Sequence, residues 1–98
     1  MTPPKATVPG TLHRWVKVVN QRGLHARAAA KFVKAAALFN ADIQVGHGGL
    51  VVPGTSIMGL MMLAASTGTV LEIGASGEEA EKALDELEQL VAEGFEEP

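Results

Sequence analysis

The stretch GLHARAAAKF, Gly23 to Phe32, sets a histidine and an arginine two positions apart at the head of an alanine-rich run. The alanines, with Phe32, Val33, Ala36 and Ala37 at helical spacing, predict a helix from Ala26 to about Leu38. His25 is then its N-cap or immediately precedes it. The first-turn amides of a helix have no intrahelical acceptor, so here they point toward the imidazole. Together with the positive end of the helix dipole they favour a phosphoryl group or a carboxylate beside the ring. Arg27 adds a fork-shaped cation that binds phosphate oxygens. A neutral ring nitrogen is also a nucleophile near neutral pH, so His25 can take such a group covalently. The same position equally suits an ordinary cap or surface histidine, or a small-anion sensor without covalent chemistry.

No carboxylate neighbours His25 in sequence, so nothing local would activate water against a modified ring. Ser56 precedes the run IMGLMMLAA and reads as the N-cap of a short helix that Gly59 weakens. Ile57, Met58 and Met61 lie on one side of that helix and form a candidate docking patch for partner proteins, methionine suiting a surface that accepts several partners. Leu60 and Leu63 lie on another side and are assigned to the core. His13, in a strand, and His47, in the GHGG turn, read as structural or solvent-facing. No pair of histidines has helical metal-ligand spacing and the chain has no cysteine, so no metal, disulfide or cysteine nucleophile is expected, and no cofactor is implied.

The elements that must position these residues follow from patterning. MTPPKATVPG, with three prolines, reads as a flexible N-terminal arm over residues 1–10, and a single domain as residues 11–98. Alternation predicts strands over Leu12 to Val19, Asp42 to Val45, Leu50 to Val52 and Thr69 to Ile73, with a hairpin turn at Gly46 to Gly49. The last helix, SGEEAEKALDELEQLVAEGF, carries a capping-box pattern in Ser76 and Glu79, while Glu93, Glu96 and Glu97 at its negative end predict fraying. The order β-α-β-β-α-β-α with short connections predicts an α+β sandwich: an antiparallel sheet covered on one face by helices, its other face toward solvent.

Composition narrows the classes of function. Hydrophobic residues make up 47% of the 98 residues and aromatic ones 4%, so one aliphatic core is expected. A net charge of -3 provides no broad basic field for nucleic acid. The longest apolar run is too short to span a bilayer and the first residues lack an export signal, so cytoplasmic residence without membrane insertion is the expectation.

GLHARAAAKFVKAA followed by TSIMGLMMLAA resembles the HPr phosphocarrier family of the bacterial phosphoenolpyruvate-dependent phosphotransferase system, colinearly from about Thr11 to Phe95. The resemblance implies an open-faced β-sandwich with a four-stranded antiparallel sheet and three helices. It implies that His25 takes phosphate, through Nδ1, from the phosphorylated histidine of enzyme I and hands it to an enzyme IIA-type acceptor. Arg27 matches the active-site arginine of the family, and Ser56 the serine modified by HPr kinase/phosphorylase in many bacteria. A monomer is implied. Ala28 stands where proline is common, which keeps the helix and adds an amide donor, and Thr55 stands where lysine often precedes the serine. A regulatory binding module governed by Ser56, with relay through His25 secondary, is the alternative.

Overall fold

Four segments rich in aliphatic residues pair as one antiparallel sheet in the computed structural model, which describes residues 6–97. They are β1 (Leu12–Lys17), β2 (Asp42–His47), β3 (Leu50–Pro53) and β4 (Val70–Ser76), in the spatial order β1-β4-β2-β3. Helices α1 (Ala26–Ala36), α2 (Ile57–Met62) and α3 (Ala80–Ala92) alternate with them, giving the expected β-α-β-β-α-β-α order and an open-faced sandwich. Strand β4 is bonded to β1 on one edge and β2 on the other. Its inward residues Leu71, Ile73 and Ala75 are fully buried against Leu84, Leu87 and Val91 of α3 and Phe32 of α1. Burying each such leucine, isoleucine or phenylalanine contributes about 1.5–3 kcal/mol. Leu60 and Leu63 are in this core, as their spacing implied.

Local differences from the sequence expectations have identifiable causes. The hairpin turn is only Gly48 and Gly49, with φ of 59° and 85°, the left-handed pair that a two-residue loop between right-twisted strands requires. His47 therefore ends β2 and is exposed. The Ser76–Glu79 capping box does not form. Ser76 closes β4, where its hydroxyl accepts from the Thr11 amide at 3.1 Å, and the Glu79 carboxylate accepts from the Asn40 amide at 2.8 Å. Glu79 itself is the N-cap of α3, without a side-chain capping bond.

The solvent-facing side of the sheet is not bare. The expected flexible arm falls partly on residues 1–5, outside the described residues, but Thr7 to Pro9 are seated on the sheet. Val8 is 4% exposed. Gly46 and Gly74 make room for this segment: a Cβ on Gly46 would strike the Val8 side chain, and one on Gly74 the Pro9 carbonyl. Glu72, buried on the same face, accepts from the Thr7 amide at 3.0 Å, the Thr7 hydroxyl at 2.9 Å and the Val8 amide at 3.1 Å. The His13 ring donates from Nε2 to the Val8 carbonyl at 2.7 Å, so His13 is structural. Burial works to raise the Glu72 carboxyl, but the Thr7 and Val8 donors, with His13 nearby, outweigh it and hold the group below its ordinary value.

A group whose folded pKa is depressed contributes stability above its unfolded pKa, and that stability is lost as pH falls through the folded value. The seating of Thr7 and Val8 is therefore intact above the ordinary glutamate pKa of about 4.3 and is lost on acidification below it. Glu72→Ala leaves the Thr7 and Val8 amides without a partner and lowers folding stability by about 1–3 kcal/mol in urea unfolding. Hydrogen exchange of the Val8 amide accelerates in Glu72→Ala and also in Gly74→Ala, which keeps the charge but blocks the seat. Unchanged exchange at Val8 in both variants would show that the segment is held by something else.

Candidate functional site

Helix α1 starts where the alanine run starts because Ala28 and Ala29 are small enough to lie fully buried against the core. That burial turns Arg27 outward, to an exposed position in the first turn. His25 is the N-cap, with extended backbone at φ -78° and ψ 179°. Its carbonyl accepts the first helical bond, from the Ala29 amide at 2.8 Å. The amides of Ala26, Arg27 and Ala28 have no backbone acceptor among the described residues, and the ring makes no capping bond to them. Ala28, in place of proline, thus contributes one of these donors.

The chain entering this N-cap is held by the loop after α2. Gly23 has φ of 67°, and a Cβ there would strike the Ala65 carbonyl. The Leu24 amide donates to that same carbonyl at 2.8 Å. A shallow hollow of about 240 Å³ results, lined by Arg22, Leu24, His25, Ala64, Ala65 and Ser66. The cation lining it is Arg22, not Arg27, and Arg27 forms no ion pair among the described residues. A larger hollow of about 320 Å³, beside Trp15 and Glu72 on the outer sheet face, includes none of these residues.

Residues distant in sequence complete the surroundings of His25. Where fraying was expected, α3 stops at Ala92 and the chain reverses through Gly94, Phe95 and Glu96, with φ of 65°, 56° and 62°. Left-handed backbone is costly at Phe95 and Glu96, and complete burial of the Phe95 ring offsets that cost. Lys31 is half-buried and donates to the Phe95 carbonyl at 2.7 Å. The reversal delivers the Glu97 carboxylate to Nε2 of His25, with the two side chains 14% and 16% exposed. Its other oxygen accepts from Asn20 Nδ2 at 2.9 Å, and the same amide group donates to the Gly23 carbonyl at 2.8 Å. The Asn20 and His25 hydrogen bonds, with Arg22 nearby, hold the Glu97 carboxyl below its ordinary range. A carboxylate does therefore reach His25, from 72 positions away. Gly94 is the single local signal of the reversal, as a glycine just past a helix end; nothing in the sequence marks Glu97 or Asn20.

Ser56 is the N-cap of α2 and accepts from the Gly59 amide at 2.9 Å. Gly59 has a packing reason: a Cβ there would lie 2.9 Å from the Val52 side chain, so its absence lets α2 settle on β3. Ile57, Met58 and Met61 are exposed, Met58 at 72%. Met62, at 65%, widens this apolar strip beyond the residues singled out from sequence. Among the described residues, no helix is long and apolar enough to cross a membrane, and no group of three or more histidine, cysteine or acidic residues could hold a metal ion.

The family model described as the PTS HPr component phosphorylation site matches residues 12–93. The phosphocarrier protein HPr of Pseudomonas putida is 44% identical over 85 residues, covering 86% of this chain and 94% of that protein. HPr of Neisseria meningitidis serogroup A is 41% identical over 80 residues, covering 82% and 90%. A crystal structure of HPr from Thermoanaerobacter tengcongensis superposes with a TM-score of 0.85 at 36% identity, covering 90% of this chain and 99% of that one. The helix-start histidine thus sits within a fold and a sequence that both lead to one family: this chain belongs to the HPr phosphocarriers of the phosphotransferase system.

Proposed function

We propose that His25 accepts a phosphoryl group from the phosphorylated histidine of enzyme I and passes it to an enzyme IIA-type acceptor in the cytoplasm. The observation that carries this reading is the N-cap position of His25, with the Ala26, Arg27 and Ala28 amides left without backbone acceptors. These donors, the helix dipole and the exposed Arg27 guanidinium receive the phosphoryl oxygens as charge redistributes over them in transfer. Donor and acceptor both bond the group through a ring nitrogen, so one such bond is exchanged for another and the step runs in either direction. Both Glu97 oxygens already accept a hydrogen bond, one from Asn20 and one from His25, which weakens the carboxylate as a base toward water and favours relay over hydrolysis.

Incubation with enzyme I, Mg²⁺ and phosphoenolpyruvate gives acid-labile label on His25. His25→Ala loses the label and keeps its melting temperature; label retained at the normal rate would identify a different acceptor, and binding of enzyme I without label would favour a regulatory module. Arg27→Ala leaves the labelled position unchanged and slows transfer roughly tenfold to a hundredfold, as expected for loss of one charged donor to the transferring group. Unchanged kinetics would remove Arg27 from the site.

Ser56 is the proposed regulatory position, modified by HPr kinase/phosphorylase, and Ile57, Met58 and Met61 the docking patch. Phosphate on Ser56 adds about 1.5 to 2 negative charges at a helix start, where the phosphoryl oxygens can take over the bond from Gly59. It also places that charge beside Ile57 and Met58, where covering the patch would desolvate it. Ser56 phosphorylation is therefore expected to leave thermal melting unchanged or slightly raised and to weaken enzyme I binding by tenfold or more, about 1.4 kcal/mol. Early melting would point to damage of the α2 cap, and equal affinity for enzyme I would end the regulatory reading.

A further inference from the structure

The hydrogen between His25 and Glu97 can be assigned from the surrounding donors. Both hydrogens of Asn20 Nδ2 are committed, one to the Gly23 carbonyl and one to Glu97 Oε1, while Asn20 Oδ1 has no partner among the described residues. Reversing the amide would set Oδ1 against two acceptors, so its orientation is determined. Asn20 therefore links the turn that precedes His25 to the carboxylate that touches its ring. An ionised carboxylate only accepts, so the hydrogen it shares with His25 belongs to Nε2. In the neutral ring that leaves the lone pair on Nδ1, which has no hydrogen-bond partner among the described residues.

We propose that Glu97 is a positioning residue for phosphoryl transfer: held by Asn20, it keeps the His25 proton on Nε2, presents Nδ1 as the nucleophile, and faces the positive charge the ring acquires. This rests on the reading of His25 as the phosphoryl acceptor. In the transfer step the Nδ1 lone pair forms the bond to phosphorus. The bond from phosphorus to the donor histidine breaks, and its electron pair returns to the donor nitrogen. The Nε2 proton stays on the His25 ring, which carries a positive charge while the phosphoryl group is attached, and the Glu97 carboxylate lies against that charge. When the group leaves for the next acceptor, the pair returns to Nδ1 and the ring is neutral again with its proton where it began. The Phe95 ring and the Lys31 bond to the Phe95 carbonyl anchor the segment that carries Glu97, so the carboxylate is held in place before the donor arrives.

The test is ¹⁵N NMR of the His25 imidazole in the whole chain in alkaline solution, beside phosphoryl transfer from enzyme I and phosphoenolpyruvate. In the unmodified chain the ring signals report a single form protonated at Nε2. Glu97→Ala moves them toward the tautomer mixture of an unconstrained imidazole and slows transfer by roughly 10- to 100-fold, the range for losing a group that orients a functional histidine. Glu97→Gln, whose carbonyl oxygen still accepts from Nε2, keeps the tautomer and recovers part of the rate, the remainder reflecting the lost charge. Ring signals in Glu97→Ala identical to those of the unmodified chain would overturn the positioning role, and so would an unchanged transfer rate. The NMR measurement reads the tautomer whichever residue is phosphorylated, so a wrong choice of acceptor, seen as label retained in His25→Ala, is a separate result.

Discussion

The double pairing of β4 is the constraint on which the rest of the molecule depends. With β1 along one edge and β2 along the other, its backbone joins a ladder on both sides over residues 72–75, and its two faces are committed to different tasks. Leu71, Ile73 and Ala75 face the helices and form the floor of the core. Glu72 and Gly74 face the other way and receive Thr7 to Pro9. A one-residue slip in this strand would exchange the two sets, sending Glu72 into the aliphatic core and the leucine and isoleucine to the surface. The register is therefore set by chemistry on both sides of the sheet at once.

On the inner side, the same floor determines where α1 begins and hence where His25 sits. The buried alanine face brings the helix close to the sheet, the left-handed Gly23 packs under the loop at Ala65, and the N-cap is held at the rim of the packed layers, half-buried. Local strain is stored nearby and balanced by burial. Phe95 and Glu96 hold left-handed backbone while the Phe95 ring is fully enclosed, so the turn after α3 is held by the core rather than by its own backbone preference. The His25 ring accordingly stands at the open first turn of its own helix, unbonded to its amides, and meets a carboxylate from 72 positions away.

Much of this fold was legible in the sequence because its signals are local. Helix α1 and its N-cap at His25 follow from an alanine run, the hairpin from paired glycines, and the α2 cap at Ser56 from a hydroxyl ahead of an apolar run; each involves a few consecutive residues whose dihedrals and hydrogen bonds are decided among themselves. The two motifs around His25 and Ser56 carried the family resemblance for the same reason. The capping-box reading at Ser76 and Glu79 went wrong where local logic met a non-local competitor: the serine hydroxyl was taken by Thr11 across the sheet, and the glutamate by Asn40. Glu97 on His25, Asn20 on Glu97 and Thr7 on Glu72 join residues 72, 77 and 65 positions apart. Such pairings leave no period or spacing in the chain, since their partners meet only after the sheet and helices have packed and closed the loops between them. The sequence by itself determined the elements, the helix-start histidine and the family; tertiary packing alone decided which carboxylate meets that histidine and that Thr7 to Pro9 sit on the outer sheet face.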